Sequence, residues 1–264
     1  MARLRMASPV AARAAVALLF LYACTRGGEA PEEAAAKPVP TAERARVLLL
    51  TGNDYPGHKW KETAPVLARE LRADPRLEVD VVEDPNFLAS SELSKYRAIV
   101  LHWMNWETPD PGPAARENLR AFVEKGGGLV IVHFACGAFQ DWPEFRNLAG
   151  RSYDPKLRGH DPHGRFAVEI VKSDHPIVKG LKSFETTDEL YTCLAGDRPI
   201  EILATARSKV DGKDYPMAFV SKYGEGRVFH SPLGHDVRAL EVEEVGELFR
   251  RGCAWAAGLR PVRE

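Results

Sequence analysis

The chain has few cysteines, no long apolar run and no excess of charge of either sign. Its 264 residues include four cysteines, none in a C-x-x-C pair, which argues against a disulfide framework. The 36 basic and 37 acidic residues are interspersed, and the lack of a basic stripe excludes nucleic acid as an expected partner. The apolar run at residues 14–23 is also too short for a membrane-spanning helix, which needs about 20 residues.

The first part of the sequence predicts export rather than a fold. Three arginines precede the apolar run, as in a secretory signal peptide. Cys24 follows a small residue and has Leu21 three positions before it, which is similar to a bacterial lipobox. Residues 1–24 are therefore predicted to be a lipoprotein-type signal peptide, with a plain signal peptide as the alternative. Residues 25–43 predict a flexible tether, so we expect a cell-envelope or periplasmic protein that meets the membrane only through a lipid on Cys24.

Residues 44–260 predict a single α/β domain. Strands alternate with helices in the first half, which indicates crossover connections and a parallel sheet. The predicted elements of this half are ARVLLLTG, APVLARELRAD, LEVDVVED, YRAIVLHW, PGPAARENLRAFVEKGGG and LVIVH. Short turns separate the later strands RFAVEIV, PIEILATA, YPMAFVSKY and GRVFHSP, so an antiparallel extension is expected to join the parallel core. A final helix is predicted at about residues 243–257.

Polar side chains follow the ends of several predicted strands, where ligands bind in open α/β sheets. The candidates at these positions are Asn53, Asp54, His58, His102, Asn105, Glu107, His133, Asp188, Glu189, Tyr191, His230, His235 and Asp236. Histidines grouped with a carboxylate can hold a divalent transition metal, although no H-x-x-x-H or H-E-x-x-H spacing is present. The alternative for each histidine is a hydrogen-bonded loop or core residue.

Two further features suit a polar or sugar ligand. The turn-like loop KLRGHDPHG offers Arg158 and His160, which could grip a polar ligand or be solvated. Aromatic residues in the candidate loops, among them Trp103 and Trp106, have faces that match the apolar face of a sugar ring. The alternative is that these aromatic side chains fold back over the core.

Cys136 lies in the string HFACGA and could be a nucleophile at a strand-to-helix turn. Such an elbow needs small residues on both sides, as in G-x-C-x-G. Phe134 and Ala138 occupy the two glycine positions, so the elbow is poorly met and a buried thiol is predicted instead.

The residues resemble the trehalose-utilisation (ThuA-like) family over almost the whole predicted domain. The resemblance rests, in order, on VLLLTGNDYPGHKW, GGGLVIVHFACGAF, DHPIVKGLKSFETTDELY and GRVFHSPLGHD. It implies a class I glutamine amidotransferase-like fold, a flavodoxin-like three-layer sandwich, without amidotransferase chemistry. It also implies a link to the breakdown of sugars such as 3-keto-glycosides, and pocket positions at His58, His102, His133, Glu189, Tyr191 and His235.

The sequence therefore predicts a sugar-processing hydrolase, lyase or isomerase, with a zinc or other transition-metal ion as cofactor and no nucleotide or flavin. His58, His133 and His235 are the expected metal ligands, with Glu189 as a further one. Glu189 or His102 is expected to move a proton as general base, and Tyr191 to donate to the oxyanion. The expected substrate-binding residues are Asn53, Asp54, Trp103, Asn105, Trp106, Arg158 and His160. The rival hypotheses are a non-catalytic, lipid-anchored sugar-binding module and a cysteine-dependent amidotransferase-like enzyme.

Overall fold

The computed structural model of the chain describes residues 44–53 and 55–262. The predicted signal peptide, the tether and Asp54 lie outside these residues. No helix in the described ranges has both the length and the apolar character needed to cross a bilayer.

The first half alternates strands and helices as predicted. Its elements are β1 (Ala45–Leu50), α1 (Trp60–Arg72), β2 (Leu77–Val82), β3 (Ala98–Leu101), α2 (Pro113–Glu124), β4 (Gly128–Val132) and α3 (Glu144–Ala149). The second half contains β5 (Ser152–Tyr153), β6 (Gly164–Ile170), β7 (Phe184–Asp188), β8 (Leu194–Ala195), β9 (Glu201–Arg207), β10 (Asp214–Tyr223), β11 (Gly226–Ser231), α4 (Val237–Leu240) and α5 (Glu243–Ala256).

Nine strands form one mixed sheet in the order β2-β1-β3-β4-β11-β10-β9-β6-β7. The first five strands of this order run parallel. Strands β10, β9, β6 and β7 are antiparallel to their neighbours, so the predicted antiparallel extension is present. The structure adds β7, which is not among the predicted strands; its sequence FETTD lacks the continuous apolar run of a buried strand.

The central strands are buried on both faces, which explains their continuous apolar runs. Along β1, Val47 and Leu49 face one core cluster, which also contains residues of α1 and α5. Leu48 and Leu50 face the other, which contains residues of α2 and α3. Helices thus cover both faces of the parallel sheet, which confirms the flavodoxin-like three-layer α/β fold.

Helix α1 begins earlier than the sequence indicated. The predicted helix segment APVLARELRAD begins at Ala64, but the helix starts at Trp60 and Thr63 lies in its first turn. The hydroxyl group of Thr63 contacts a buried histidine, since its Oγ1 lies 3.2 Å from Nε2 of His102. Pro65 stands inside the helix, which nevertheless continues to Arg72.

Candidate metal centre

Three histidines and one glutamate converge beyond the carboxyl ends of the parallel strands. His58 lies in the loop after β1, His133 directly follows β4, and His235 lies in the loop after β11. Glu189 directly follows β7. One nitrogen or oxygen atom from each of the four residues lies within 4.8 Å of the others. Because imidazole nitrogens and a carboxylate are common transition-metal ligands, these four residues can hold a metal ion.

The ring of His133 is oriented by the backbone. Its Nδ1 lies 2.7 Å from the carbonyl oxygen of Pro232, which can only accept, so Nδ1 donates. In the neutral ring, Nε2 then carries a lone pair that faces Nδ1 of His235 at 3.3 Å and Oε2 of Glu189 at 3.5 Å. A ligating histidine held by a backbone carbonyl in this way is the usual arrangement in metal sites.

Glu189 connects the cluster to solvent-facing residues. Its Oε2 lies 3.2 Å from Nδ1 of His235, and its Oε1 lies 3.5 Å from Nε2 of His160. Burial opposes ionisation of Glu189, but its interactions with the neighbouring imidazoles of His133 and His235 outweigh burial and hold the pKa of Glu189 below its usual range. Burial also opposes protonation of His235, yet the hydrogen bond to Glu189 raises the pKa of His235 above its ordinary value. Glu189 is therefore available as an anionic ligand.

His58 is held as a neutral imidazole among aromatic rings. Burial, reinforced by His133 and His235, lowers the pKa of His58 to about 2. Its ring stacks on Phe134 at 4.6 Å and on Tyr55 at 5.4 Å. Within the described part of the chain, its buried Nδ1 has no hydrogen-bond partner. A neutral, tightly packed imidazole is the form that binds a metal ion.

Asp188 connects the segment that carries Glu189 to the segment that carries His235. The side chain is fully buried, and it accepts backbone N–H bonds from Gly234 at 2.7 Å, His235 at 3.1 Å and Glu189 at 2.8 Å. Asp188 is one of the candidates predicted at the strand ends, and no role was predicted for it. Its three bonds fix the backbone of two of the four cluster residues.

Tyr191 lies beneath the cluster and is only 6% exposed. Its hydroxyl is 3.2 Å from Nε2 of His133 and 3.4 Å from Nε2 of His58. Burial raises the pKa of Tyr191 well above its ordinary value. The hydroxyl therefore faces His133 Nε2, which Glu189 also approaches, and His58 Nε2 rather than the solvent.

His102, predicted as a possible general base, is enclosed in the core. It is 0% exposed, and its ring nitrogens lie 3.0 Å from Oγ1 of Thr51 and 3.2 Å from Oγ1 of Thr63. Burial, together with the nearby His133, lowers the pKa of His102 to about 3. With both ring nitrogens beside threonine hydroxyls and no exposed surface, His102 presents no atom to a substrate in this structure, which argues against the predicted role as general base.

Trp103 and Asn105 are also turned inward. Trp103 is 0% exposed and packs edge-on against Phe139 at 5.0 Å, so it presents no surface to a substrate in this structure. Asn105 accepts the backbone N–H of Phe139 at 2.9 Å. Because Phe139 has a φ of 52°, this bond supports a left-handed turn, and Asn105 has a structural function there.

Trp106 remains available at the mouth of the site. It is 39% exposed, its indole N–H donates to the carbonyl of Gly137, and its ring meets Tyr55 at 5.5 Å and Tyr153 at 4.8 Å. Asn53 donates to Thr108 at 2.6 Å, which holds the two loops beside it. The predicted ligand Asp54 lies outside the described residues.

Arg158 and His160 lie in the same loop but make different contacts. Arg158 pairs with Asp161 of the same loop at 2.5 Å and with Asp211, between β9 and β10, at 3.4 Å, so its charge is paired away from the cluster. His160 instead reaches the cluster, since its Nε2 faces Glu189 while its Nδ1 lies 2.7 Å from the carbonyl oxygen of Asp161. The side chain of His160 is 41% exposed, which makes it the solvent-facing neighbour of Glu189.

Two cavities border the cluster. One of about 510 Å³ includes His58 and Glu107 in its lining, and another of about 230 Å³ includes His235 and Thr63. A further cavity of about 610 Å³ lies where the strands begin, lined by residues such as Arg97 and Lys125, and none of the four cluster residues lines it. The cluster therefore opens to cavities at the edge of the sheet where ligands bind in this fold class.

Cys136 does not take part in the site. It is 1% exposed, within a short 3₁₀ helix that follows β4, and burial raises its pKa well above the ordinary value. Because the thiolate is the reactive form, this environment suits a packing residue rather than a nucleophile. Phe134 and Ala138, in place of the two glycines of a nucleophile elbow, agree with a packing role for Cys136.

Comparison with solved structures gives the same architecture. A ThuA-like protein from Parabacteroides merdae is 27% identical, with a TM-score of 0.73 over 84% of this chain and 93% of that chain. A ThuA-like protein from Bacteroides uniformis is 20% identical, with a TM-score of 0.65 over 88% and 99%. A β-galactosidase from Bacillus circulans sp. alkalophilus shares the fold at 14% identity and a TM-score of 0.54, over 84% of this chain and 32% of that chain.

Sequence comparison identifies the family. No curated protein matches the chain. The profile of the ThuA family, described as trehalose utilisation, matches residues 46–256. The match spans nearly all of the described residues and confirms the predicted resemblance: the chain belongs to the ThuA trehalose-utilisation family.

Proposed function

We propose that the protein is an exported, metal-dependent enzyme that acts on glycosides or keto-glycosides as a hydrolase, lyase or isomerase. The observation that carries the proposal is the convergence of His58, His133, Glu189 and His235 beside open cavities. Membership of a trehalose-utilisation family supports a sugar as substrate.

The donor set fits a divalent transition metal. Three imidazoles and one carboxylate provide borderline nitrogen ligands and one negative charge. The hydrogen bond from His133 to the carbonyl oxygen of Pro232, and the backbone N–H bonds that Asp188 accepts from Glu189 and His235, would keep the ligands aimed at one point. When bound, such an ion polarises carbonyl and hydroxyl oxygens of a substrate.

His160 is a better candidate for proton transfer than His102, because His102 is enclosed in the core. Its Nδ1 donates to the carbonyl of Asp161, which leaves Nε2 as the accepting atom of the neutral ring. Nε2 lies beside Oε1 of Glu189 and on the solvent side of the cluster. His160 Nε2 would accept a proton from the carbon next to the ketone of a bound keto-sugar.

Aromatic rings support a sugar subsite next to the cluster. Trp106 stands between Tyr55 and Tyr153, and Tyr55 stacks on His58. The anchored indole presents a rigid face to solvent, which suits stacking against the C–H face of a pyranose. The sugar would bind over Trp106 with its oxygens directed towards His58.

The test combines elemental analysis with turnover of keto-glycosides followed by mass spectrometry. The wild-type protein, expressed with ample metal, is expected to retain about one transition-metal ion per chain and to lose it to a chelator. His133→Ala and Glu189→Ala should each lower kcat by ~10²-fold or more, because the ligands hold the group that stabilises the developing charge. His175→Gln is the matched control, since His175 packs on Trp255 away from the cluster.

Wild-type turnover in both variants, or sub-stoichiometric metal under metal-replete expression, would overturn the metal-dependent enzyme. Saturable sugar binding without any product would favour the sugar-binding module instead.

Export is a proposal that rests on residues 1–24 alone. Lipid attachment at Cys24 would hold the domain at the envelope through the tether. Labelling with a radioactive fatty acid should mark the wild type and not Cys24→Ala, and an unlabelled wild type would refute the anchor.

A further inference from the structure

The Tyr191 hydroxyl lies as close to two of the candidate ligands as the candidate ligands lie to one another. The contacts between His133, Glu189 and His235 measure 3.2 to 3.5 Å. The Tyr191 hydroxyl lies 3.2 Å from His133 Nε2 and 3.4 Å from His58 Nε2. Its oxygen therefore belongs to the same close group of donor atoms.

These separations match those of atoms that share one metal ion. Two ligands bound at about 2.1 Å are about 3.0 Å apart at right angles and about 3.4 Å apart in a tetrahedron. The distances from the Tyr191 hydroxyl fall within or next to this range, as do the distances among the other donors.

The hydrogen-bond arrangement supports the same assignment. Nδ1 of His133 is committed to Pro232, so Nε2 offers its lone pair both to the Tyr191 hydroxyl and to any bound ion. A metal ion bound to the lone pair of His133 Nε2 would leave the Tyr191 hydroxyl without this hydrogen-bond acceptor. Because the Tyr191 side chain is nearly enclosed, water has little access to replace the lost hydrogen bond.

We propose that the phenolic oxygen of Tyr191 is a fifth ligand of the metal ion, together with His58, His133, Glu189 and His235. On binding, the O–H bond breaks, the proton passes to the buffer, and an oxygen–metal bond forms without any change of oxidation state. Two anionic oxygens, from Glu189 and Tyr191, then balance the charge of a divalent ion. The site would favour metals that accept five or more ligands. This inference rests on the proposed metal site.

Copper(II) is the probe, because a phenolate bound to copper(II) gives a visible charge-transfer band and characteristic resonance Raman ring modes. The purified, metal-free protein is loaded with one equivalent of copper(II), and copper is measured by elemental analysis. We expect the band in the wild type and its loss in Tyr191→Phe, which retains copper with an affinity lowered ~10-fold or more. Tyr55→Phe is the matched control, because Tyr55 also touches His58 but stacks on its ring, and it should keep the band.

The outcomes separate this inference from the proposed function. Stoichiometric copper without a phenolate band, or a band that persists in Tyr191→Phe, would overturn ligation by Tyr191 and leave the four-residue metal site intact. A wild type that retains no metal would overturn both. The wild-type spectrum decides the matter alone if Tyr191→Phe does not fold.

Discussion

The backbone of His133 adopts a left-handed conformation directly after a buried strand. Its φ is 45°, which is uncommon for a residue with a side chain. The turn takes the chain out of β4 into a 3₁₀ helix, and the ring is held by Pro232. Backbone strain of this kind is typical of functional positions, because the surrounding structure must hold it in place.

Cys136 gives a prediction at the scale of a single residue. Cys136→Ala should leave metal content and turnover unchanged, because the thiol is buried among apolar residues and outside the cluster. Loss of the sulfur should lower the free energy of unfolding by about 1 kcal/mol. Denaturant unfolding and kcat measured on the same preparation test this, and a tenfold loss of kcat in folded, metal-loaded Cys136→Ala would contradict it.

At the scale of elements, β7 brings Glu189 to a site otherwise built from parallel strands. In the sheet, β7 is separated from β11 by β10, β9 and β6. The end of β7 nevertheless meets the loop after β11, because Asp188 accepts the N–H groups of Gly234 and His235. The antiparallel extension therefore contributes one ligand and the carboxylate that positions another.

Asp188→Asn should weaken metal binding without abolishing the fold. The amide loses one acceptor oxygen, so at least one of the three backbone N–H bonds is lost and the segments with Glu189 and His235 loosen. We expect the metal dissociation constant to rise by ~10- to 100-fold, measured by competition with a chromophoric chelator.

The control for this change is Thr186→Val, a buried position on the same strand whose hydroxyl has no hydrogen-bond partner among the described residues. Its metal affinity should equal that of the wild type. Equal affinities for Asp188→Asn and Thr186→Val would show that the carboxylate does not position the ligands.

At the scale of the whole molecule, buried neutral histidines make the fold sensitive to acid. Burial lowers the pKa values of His102 and His230 to about 3 each, against about 6.5 in the unfolded chain. As the pH falls below about 6.5, the unfolded state takes up protons that the folded state does not, so stability decreases until both pKa values are passed. Each of the two histidines contributes up to ~1.4 kcal/mol per pH unit to this decrease.

His230→Phe should flatten the pH dependence of stability. The ring packs at 4.6 Å from Phe219, and its buried Nε2 has no hydrogen-bond partner in the described part of the chain. Phenylalanine keeps the ring contact and removes both titrating nitrogens, with the loss of the 3.3 Å hydrogen bond between Nδ1 and the carbonyl oxygen of Ala149. Denaturant unfolding of the metal-free protein at several pH values between 6 and 3 should show a slope reduced by ~1 kcal/mol per pH unit.

A slope equal to that of the wild type would show that His230 does not couple folding to protons. Stability above pH 7 is the internal control, because there neither histidine is protonated in either state.

The sequence alone determined the parallel core and the edge at which its polar residues meet. Continuous apolar runs that alternate with helices require a buried parallel sheet, and the carboxyl ends of such strands lie together. His58, His133 and His235 follow three of these strands, so their convergence could be predicted. The lipoprotein signal stays a prediction, because it falls outside the described residues.

Only the tertiary structure decided which of the polar residues face the site. Beyond the end of β3, successive side chains point to opposite faces, so His102 meets Thr63 of α1 while Trp103 packs under Phe139. Sequence position does not reveal which layer covers each face. The approach of Glu189 depends in the same way on an antiparallel strand whose partners are distant in the chain, because strand pairing is fixed by packing of the whole sheet and not by local periodicity.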